Sequence, residues 1–175
     1  WVKRRDNPLA DTAYRLAQGT RHASLPMVPA LHRMLYGLHR GVAGAWSYLT
    51  RALWYTPLFQ SRLTRPAPDL FLYTGMPLVI GPVAITIGRG CRISGTSTIL
   101  GRAATAQPRL DVGDNVDIGW QTTIAVGSRV RIGDNVRIAG RAFLAGYPGH
   151  PMDPAARAAG APDTEDQVGD IVLED

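Results

Sequence analysis

Branched apolar residues recur in this chain with a period of six. Ile87, Ile93 and Ile99 form one run, Val112, Ile118 and Ile124 a second, and Ile132, Ile138 and Leu144 a third. Most are followed by a small residue (Gly88, Ser94, Gly113, Gly119, Ala125, Gly133, Ala139, Ala145), and four positions on stands Cys91, Ser97, Val116, Thr122, Val136 or Ala142. A period of six fits neither a helix nor simple strand alternation. It suits a short strand and a tight turn, repeated, so that three units close a triangular coil. The branched residue points into the prism and stacks on its equivalent one coil away, burying a column that no coil buries alone. Gly and Asn supply the left-handed backbone that corners need. The near copies Val112-Gly113-Asp114-Asn115-Val116 and Ile132-Gly133-Asp134-Asn135-Val136 carry both. At roughly 4.8 Å per strand, three coils make a stub about 14 Å tall.

The spacing between runs locates two insertions. Ile87 and Val112 are 25 residues apart, and the seven beyond one coil coincide with the loop-like residues 102–108. Ile132 and Leu173 are 41 apart, which throws out a long loop at about 146–169 before a fourth coil opens at Leu173. A column cut there leaves a bare strand edge, so further coils beyond Asp175 or a covering partner are expected.

The front of the chain is different. Residues 1–68 carry ten Lys or Arg and two acids, net +8, whereas the rest carry nine and twelve, net −3. Asn7 is placed as an N-cap, Pro8 as a first helical residue and Gly19 as a stop. After Pro26, the residues Val28, Leu31, Leu35, Leu38, Val42, Trp46, Leu49 and Leu53 recur at spacings of three and four, the apolar stripe of a helix that Pro57 ends. His32, Arg33, His39, Arg40 and Arg51 lie mainly off it. Residues 1–65 are thus expected to be a basic amphipathic α-helical segment and residues 66–175 the repeat domain. The helix either packs on the protein or a sister subunit, or rests on anionic lipid. Aromatics accompany its basic residues without a recognised nucleic-acid motif, so no nucleic-acid partner is expected. The uncharged stretch 41–50 is too short to span a bilayer. Lys3-Arg4-Arg5 has no apolar run behind it and is no secretory signal. A single cysteine, Cys91, excludes an internal disulfide framework and fits a reducing, cytoplasmic compartment. Its inward hexad position makes it core, not a nucleophile.

Over residues 78–175 the hexads resemble the left-handed parallel β-helix of the hexapeptide-repeat acyltransferases. Within them, Tyr147-Pro148-Gly149-His150-Pro151-Met152-Asp153-Pro154-Ala155-Ala156-Arg157 resembles the His-Pro-x-Asp-Pro-x-x-Arg loop of the maltose and galactoside O-acetyltransferase branch, with Gly160 a few residues later as in those enzymes. The resemblance implies a mainly β, left-handed β-helix behind a helical segment, assembled as a homotrimer with active sites between neighbouring prisms. It also implies acetyl-coenzyme A as acyl donor along the groove, a hydroxyl acceptor near the loop belonging to a saccharide or polysaccharide precursor, and no metal. Gamma-class carbonic anhydrases share the hexads but use three metal-binding histidines, and His150 is the only histidine after residue 39.

His150 suits acyl transfer chemically. An alcohol is a poor nucleophile toward a thioester until a neutral imidazole takes its proton as the C–O bond forms. Asp153 either orients His150, binds a substrate hydroxyl, or forms an Asx turn before Pro154. Arg157 either pairs with Asp153, binds a cofactor phosphate, or is solvated. Tyr147 lines the pocket or packs at the loop base. Gly119-Trp120-Gln121 stands where the branch has Asn-Phe-Asn, so Gly119 brings no side chain, Gln121 falls on the second asparagine, and Trp120 points outward over the acceptor or into the trimer interface. The expected function is transfer of an acetyl or small acyl group from acyl-coenzyme A to a hydroxyl, with residues 1–65 touching the inner face of the membrane. The alternative is a non-catalytic trimeric scaffold that binds a partner through its basic helices.

Overall fold

The computed structural model describes residues 7–175, and the basic start Lys3-Arg4-Arg5 lies outside them. The chain forms two compact units, Trp1–Ala43 and Gly44–Asp175. In the first, α1 (Pro8–His22) begins where Asn7 Oδ1 accepts from the Ala10 amide at 2.8 Å, with Pro8 in the first turn where no N–H is missed. The helix runs past Gly19. A glycine stops a helix only where the backbone turns left-handed, and here the extended Ala23 ends it instead.

The second helix, α2 (Pro29–Thr50), crosses from one unit into the other, and none of its residues is buried. A π-turn, Arg51–Tyr55, follows, closed by the Thr56 amide donating to the Arg51 carbonyl, and α3 (Thr56–Gln60) continues. Pro57 therefore does not end the helix as expected. It occupies the first turn of α3, directly after the π-turn, and the backbone stays helical on both sides of it. Phe59 is fully buried, and with Tyr55 and Leu63 it packs on the core of the β domain. Residues 44–65 thus cluster with the repeat, and the division expected at residue 65 falls after Ala43. Among the described residues no helix is long and apolar enough to cross a membrane.

The repeat winds four coils. The first holds β1 (Phe71–Tyr73), β2 (Leu78–Ile80) and β3 (Ala84–Ile87), and the second β4 (Arg92–Ser94), β5 (Thr98–Gly101) and β6 (Arg109–Val112). The third holds β7 (Asp117–Ile118), β8 (Thr123–Val126) and β9 (Arg129–Ile132), and the fourth β10 (Arg137–Ile138), β11 (Phe143–Ala145) and β12 (Ile171–Leu173). Every third strand joins the same parallel sheet: β1-β4-β7-β10 is sheet 1, β2-β5-β8-β11 sheet 2 and β3-β6-β9-β12 sheet 3. The result is a three-sided parallel β-helix.

The hexad arithmetic is the register. Ile87, Val112, Ile132 and Leu173 stack in sheet 3. Ile93, Ile118 and Ile138 stack in sheet 1, and Ile99, Ile124 and Leu144 in sheet 2. Each fully buried isoleucine contributes about 1.5–3 kcal/mol of transfer free energy. The positions four residues on also face inward. Cys91 and Ser97 lie buried there and donate to the Gly113 and Gly119 carbonyls, each at 3.1 Å. Burial pushes the Cys91 thiol up from its ordinary value, in keeping with a core residue. Beyond the three coils and the opening of a fourth expected from Ile87 to Leu173, two strands, β1 and β2, precede Ile87 and complete the four coils. Leu72 stacks on Ile93 and Val79 on Ile99, but the two are seven residues apart rather than six, which hides the first coil's period.

The three corners differ. Between sheets 3 and 1, Gly90, Asn115 and Asn135 repeat one left-handed turn. Between sheets 1 and 2, the turns of the third and fourth coils are made by Gln121 and Arg141. Between sheets 2 and 3, both insertions leave the prism, one after β5 and one after β11.

Candidate functional site

The long loop that follows β11 is fastened at its mouth. The Gly146 amide donates to the Ala125 carbonyl at 2.8 Å, and the Gly169 amide to the Gly146 carbonyl at 2.9 Å. From there Tyr147 folds half-buried at the loop base. Burial, then the Asp163 carboxylate, pushes its phenol up, and Arg102 opposes them. Gly149 takes a φ of +77°, a turn that favours glycine, and delivers the chain to an exposed His150. The His150 Nδ1 lies 3.3 Å from the Pro151 carbonyl oxygen. The tautomer that donates from Nδ1 leaves Nε2 with a free lone pair, the state a general base needs.

Asp153 does not reach His150. Its Oδ2 accepts from the Ala156 amide at 2.6 Å and caps α4 (Pro154–Ala158), so the local turn is formed and the orienting contact to His150 is not. Arg157 is exposed, directs Nη1 toward the Pro151 carbonyl at 3.5 Å, and forms no ion pair with Asp153.

Two side chains that the sequence reading missed hold this loop from below. Arg102, the first residue of the shorter insertion, has a side chain only 3% exposed. Its Nε donates to Asp163 Oδ1 at 2.8 Å, its Nη2 to the Asp163 carbonyl at 3.2 Å, and its Nη1 to Glu165 Oε1 at 2.7 Å and Thr105 Oγ1 at 3.1 Å. Glu165 and then Asp163 hold the guanidinium charged more firmly than usual, against the opposing effect of burial. The other carboxylate oxygen of Asp163 accepts from the Gly149 amide at 3.2 Å. The only advance sign was the register, which sends both insertions out of one corner.

The second group of predicted residues sits one corner away. Trp120 is half exposed, with its indole edge so close over Gly140 that a Cβ there would lie 2.3 Å from Nε1. The Arg141 guanidinium lies 4.6 Å from the indole centroid, a cation–π contact. Arg141 Nε also donates to Gln121 Oε1 at 3.1 Å, and its amide donates to the Trp120 carbonyl at 2.7 Å. Gln121 and Arg141 have φ of 55° and 65°, uncommon for such residues, and these contacts hold them there. Arg141 is a third residue that the sequence reading missed; its place one coil below Gln121 was the available signal. Gly119 is explained by packing, because a Cβ would lie 2.5 Å from the Gly140 nitrogen and 2.7 Å from the Ile138 oxygen.

Within one chain, Tyr147, His150, Asp153 and Arg157 share the loop, and Trp120 and Gln121 share the neighbouring corner with Arg141. Among the described residues, no hydrogen bond, ion pair or ring contact joins the two groups. Between them runs the outer face of sheet 2, formed by Leu78, Thr98, Thr123 and Phe143 in one column and Ile80, Leu100, Ala125 and Ala145 in the other. It carries no charge, and Phe143 is 66% exposed. Sheets 1 and 3 instead turn outward Arg92, Asp117 and Arg137, and Arg109, Asp111, Arg129 and Arg131. Among the described residues, no group of three or more His, Cys, Asp or Glu side chains is placed to hold a metal ion. No family model, curated protein or solved structure matches the chain.

Proposed function

We propose that this chain is an acyltransferase of the hexapeptide-repeat kind, moving an acetyl or small acyl group from acyl-coenzyme A to a hydroxyl of a saccharide or polysaccharide precursor. The observation that carries the reading is an exposed imidazole, its Nδ1 engaged by a backbone carbonyl, on a loop anchored to a rigid prism. Nε2 takes the acceptor's proton as its oxygen attacks the thioester carbon. The C–O bond forms, the C–S bond breaks, and the imidazolium returns the proton to the departing thiolate. Trp120 and Gln121 contact the acceptor, Tyr147 closes the base of the pocket, and Arg157, exposed and without a carboxylate partner among the described residues, is free to meet a phosphate of the donor.

The site is completed by a second copy. The uncharged outer face of sheet 2 separates the His150 loop from the Trp120 corner, and a homotrimer packed through that face brings the loop of one copy to the corner of the next. The same reading places the protein in the cytoplasm at the inner membrane surface. The exposed stripe of α2, from Leu31 through Leu38, Val42 and Trp46 to Leu49, enters the lipid boundary, and Arg33 and Arg40 on the opposite side stay in water near anionic headgroups. Full-length protein is expected to sediment with anionic vesicles and not with phosphatidylcholine vesicles, and Leu38→Glu to abolish that difference.

The deciding experiment is acyl transfer by wild-type protein and His150→Ala with acetyl-coenzyme A and saccharide acceptors. Loss of the base is expected to lower kcat by about 10²–10⁴. Undiminished transfer by the variant sinks the assignment of the base. The alternative, a non-catalytic trimeric scaffold using its basic helices, draws on the engagement of Asp153 in the α4 cap rather than with His150. It predicts no transfer and no binding of acetyl-coenzyme A by the wild-type protein.

A further inference from the structure

Two stretches of irregular chain meet where the hexad period breaks. The insertion after β5 begins with Arg102 in the second coil, and the loop that bears His150 leaves the fourth coil. The third coil lies between them, and there a Cβ on Gly127 would stand 2.3 Å from the Gly146 oxygen, so the backbones pass with no side chain intervening. The long loop folds back over this corner far enough for Asp163 to meet Arg102 in a pair whose side chains are 3% and 6% exposed.

We infer that the Arg102–Asp163 pair is a positioning device that fixes the loop backbone at Gly149 and so sets where the His150 imidazole stands. Asp163 uses one carboxylate oxygen on the Arg102 Nε and the other on the Gly149 amide, one residue before His150. Apart from Glu165, which meets the same guanidinium, the other polar contacts in the loop's middle are internal to it: Asp153 to Ala156, Arg157 to Pro151, and the Ala161 amide to the Ala156 carbonyl. They shape the loop without tying it to the prism. The buried guanidinium places three bonds on the long loop, at the Asp163 carboxylate, the Asp163 carbonyl and the Glu165 carboxylate, and a fourth on Thr105 of its own insertion, a geometry that a planar fork holds and a lysine ammonium does not. A base displaced by about 1 Å loses on the order of 100-fold in rate, so the pair acts on turnover without touching substrate. Arg102 and Asp163 are positioning residues, not catalytic ones.

The effect on turnover rests on the acyltransferase reading, and the effect on the loop does not. The test therefore reads both in full-length wild type, Arg102→Met, Asp163→Asn and Arg102→Lys. Hydrogen–deuterium exchange is followed in peptides covering residues 147–152 and in β5 and β8, alongside kcat and KM for acetyl-coenzyme A. Both neutral variants are expected to exchange at least tenfold faster in the loop with β5 and β8 unchanged, and to lose about 100-fold in kcat at nearly constant KM. Arg102→Lys, keeping the charge, should fall between them and wild type. Unchanged loop exchange in both neutral variants overturns the inference, and so does a loosened loop with undiminished kcat. If the wild type transfers no acyl group while the loop loosens as expected, the acyltransferase reading fails and the anchoring role of the pair stands. Asp163→Asn keeps the side chain's shape and serves should Arg102→Met fail to fold.

Discussion

Two corners of the same prism follow opposite rules. Between sheets 3 and 1, each coil copies the last: Asp114 Oδ1 accepts from the Arg89 amide, Asp134 Oδ1 from the Asp114 amide and Asp175 Oδ1 from the Asp134 amide, each at 2.7 Å. Asn115 donates to Asn135 at 2.8 Å in the same ladder. Between sheets 2 and 3, nothing outside the glycines repeats, and the chain leaves twice to build a buried ion pair and an exposed histidine. The corner between sheets 1 and 2 begins like the first and ends like the second, with Trp120 and Arg141 in place of small residues. Where the period is kept, side chains satisfy the backbone of the neighbouring coil. Where it is broken, side chains make contacts of their own away from the ladder, buried at Arg102 and exposed at His150.

Substitutions at the two kinds of corner should therefore separate stability from turnover. The largest structural effect is expected at Gly119, where the Trp120 corner starts. An added methyl meets the backbone of the next coil, so Gly119→Ala should cost about 1–3 kcal/mol in urea denaturation. Restoring a side chain there is not expected to raise activity, and an active, fully stable variant would break the packing explanation. A smaller effect is expected in the regular ladder. Asp134→Ala removes the acceptor for the Asp114 amide at an exposed site and should cost about 1 kcal/mol with kcat unchanged. A loss of turnover without a loss of stability would erase the distinction between the corners.

The columns were legible because every inward residue rests on its own copy. Ile93, Ile118 and Ile138 need each other, and the spacing in sequence is the spacing in the prism. Leu72 and Val79 escaped because one extra residue, in the turn holding Gly75, Met76 and Pro77, shifts the period without removing the stack. Local signals misled where packing or backbone context overrode them: Gly19 stays helical, and Pro57 is absorbed into the first turn of α3. His150 and its loop stood out in the sequence as a motif. Arg102 and Asp163 did not, because a contact between residues 61 apart in two irregular segments leaves no period to read. For Asp153, sequence left an Asx turn open beside orienting His150 or binding a substrate hydroxyl, and the hydrogen bond to Ala156 shows the turn formed with no contact to His150.

The central claim is that the two groups of site residues, separated within one chain by the face of sheet 2, work together across copies. Co-expression of His150→Ala with a Trp120→Ala/Gln121→Ala chain tests it directly. Each variant alone is expected to show background transfer, whereas random mixed trimers regain about a quarter of the wild-type activity, the share of loop-and-corner pairs in which both halves are intact. Mixed assemblies no more active than their parents would contradict the account.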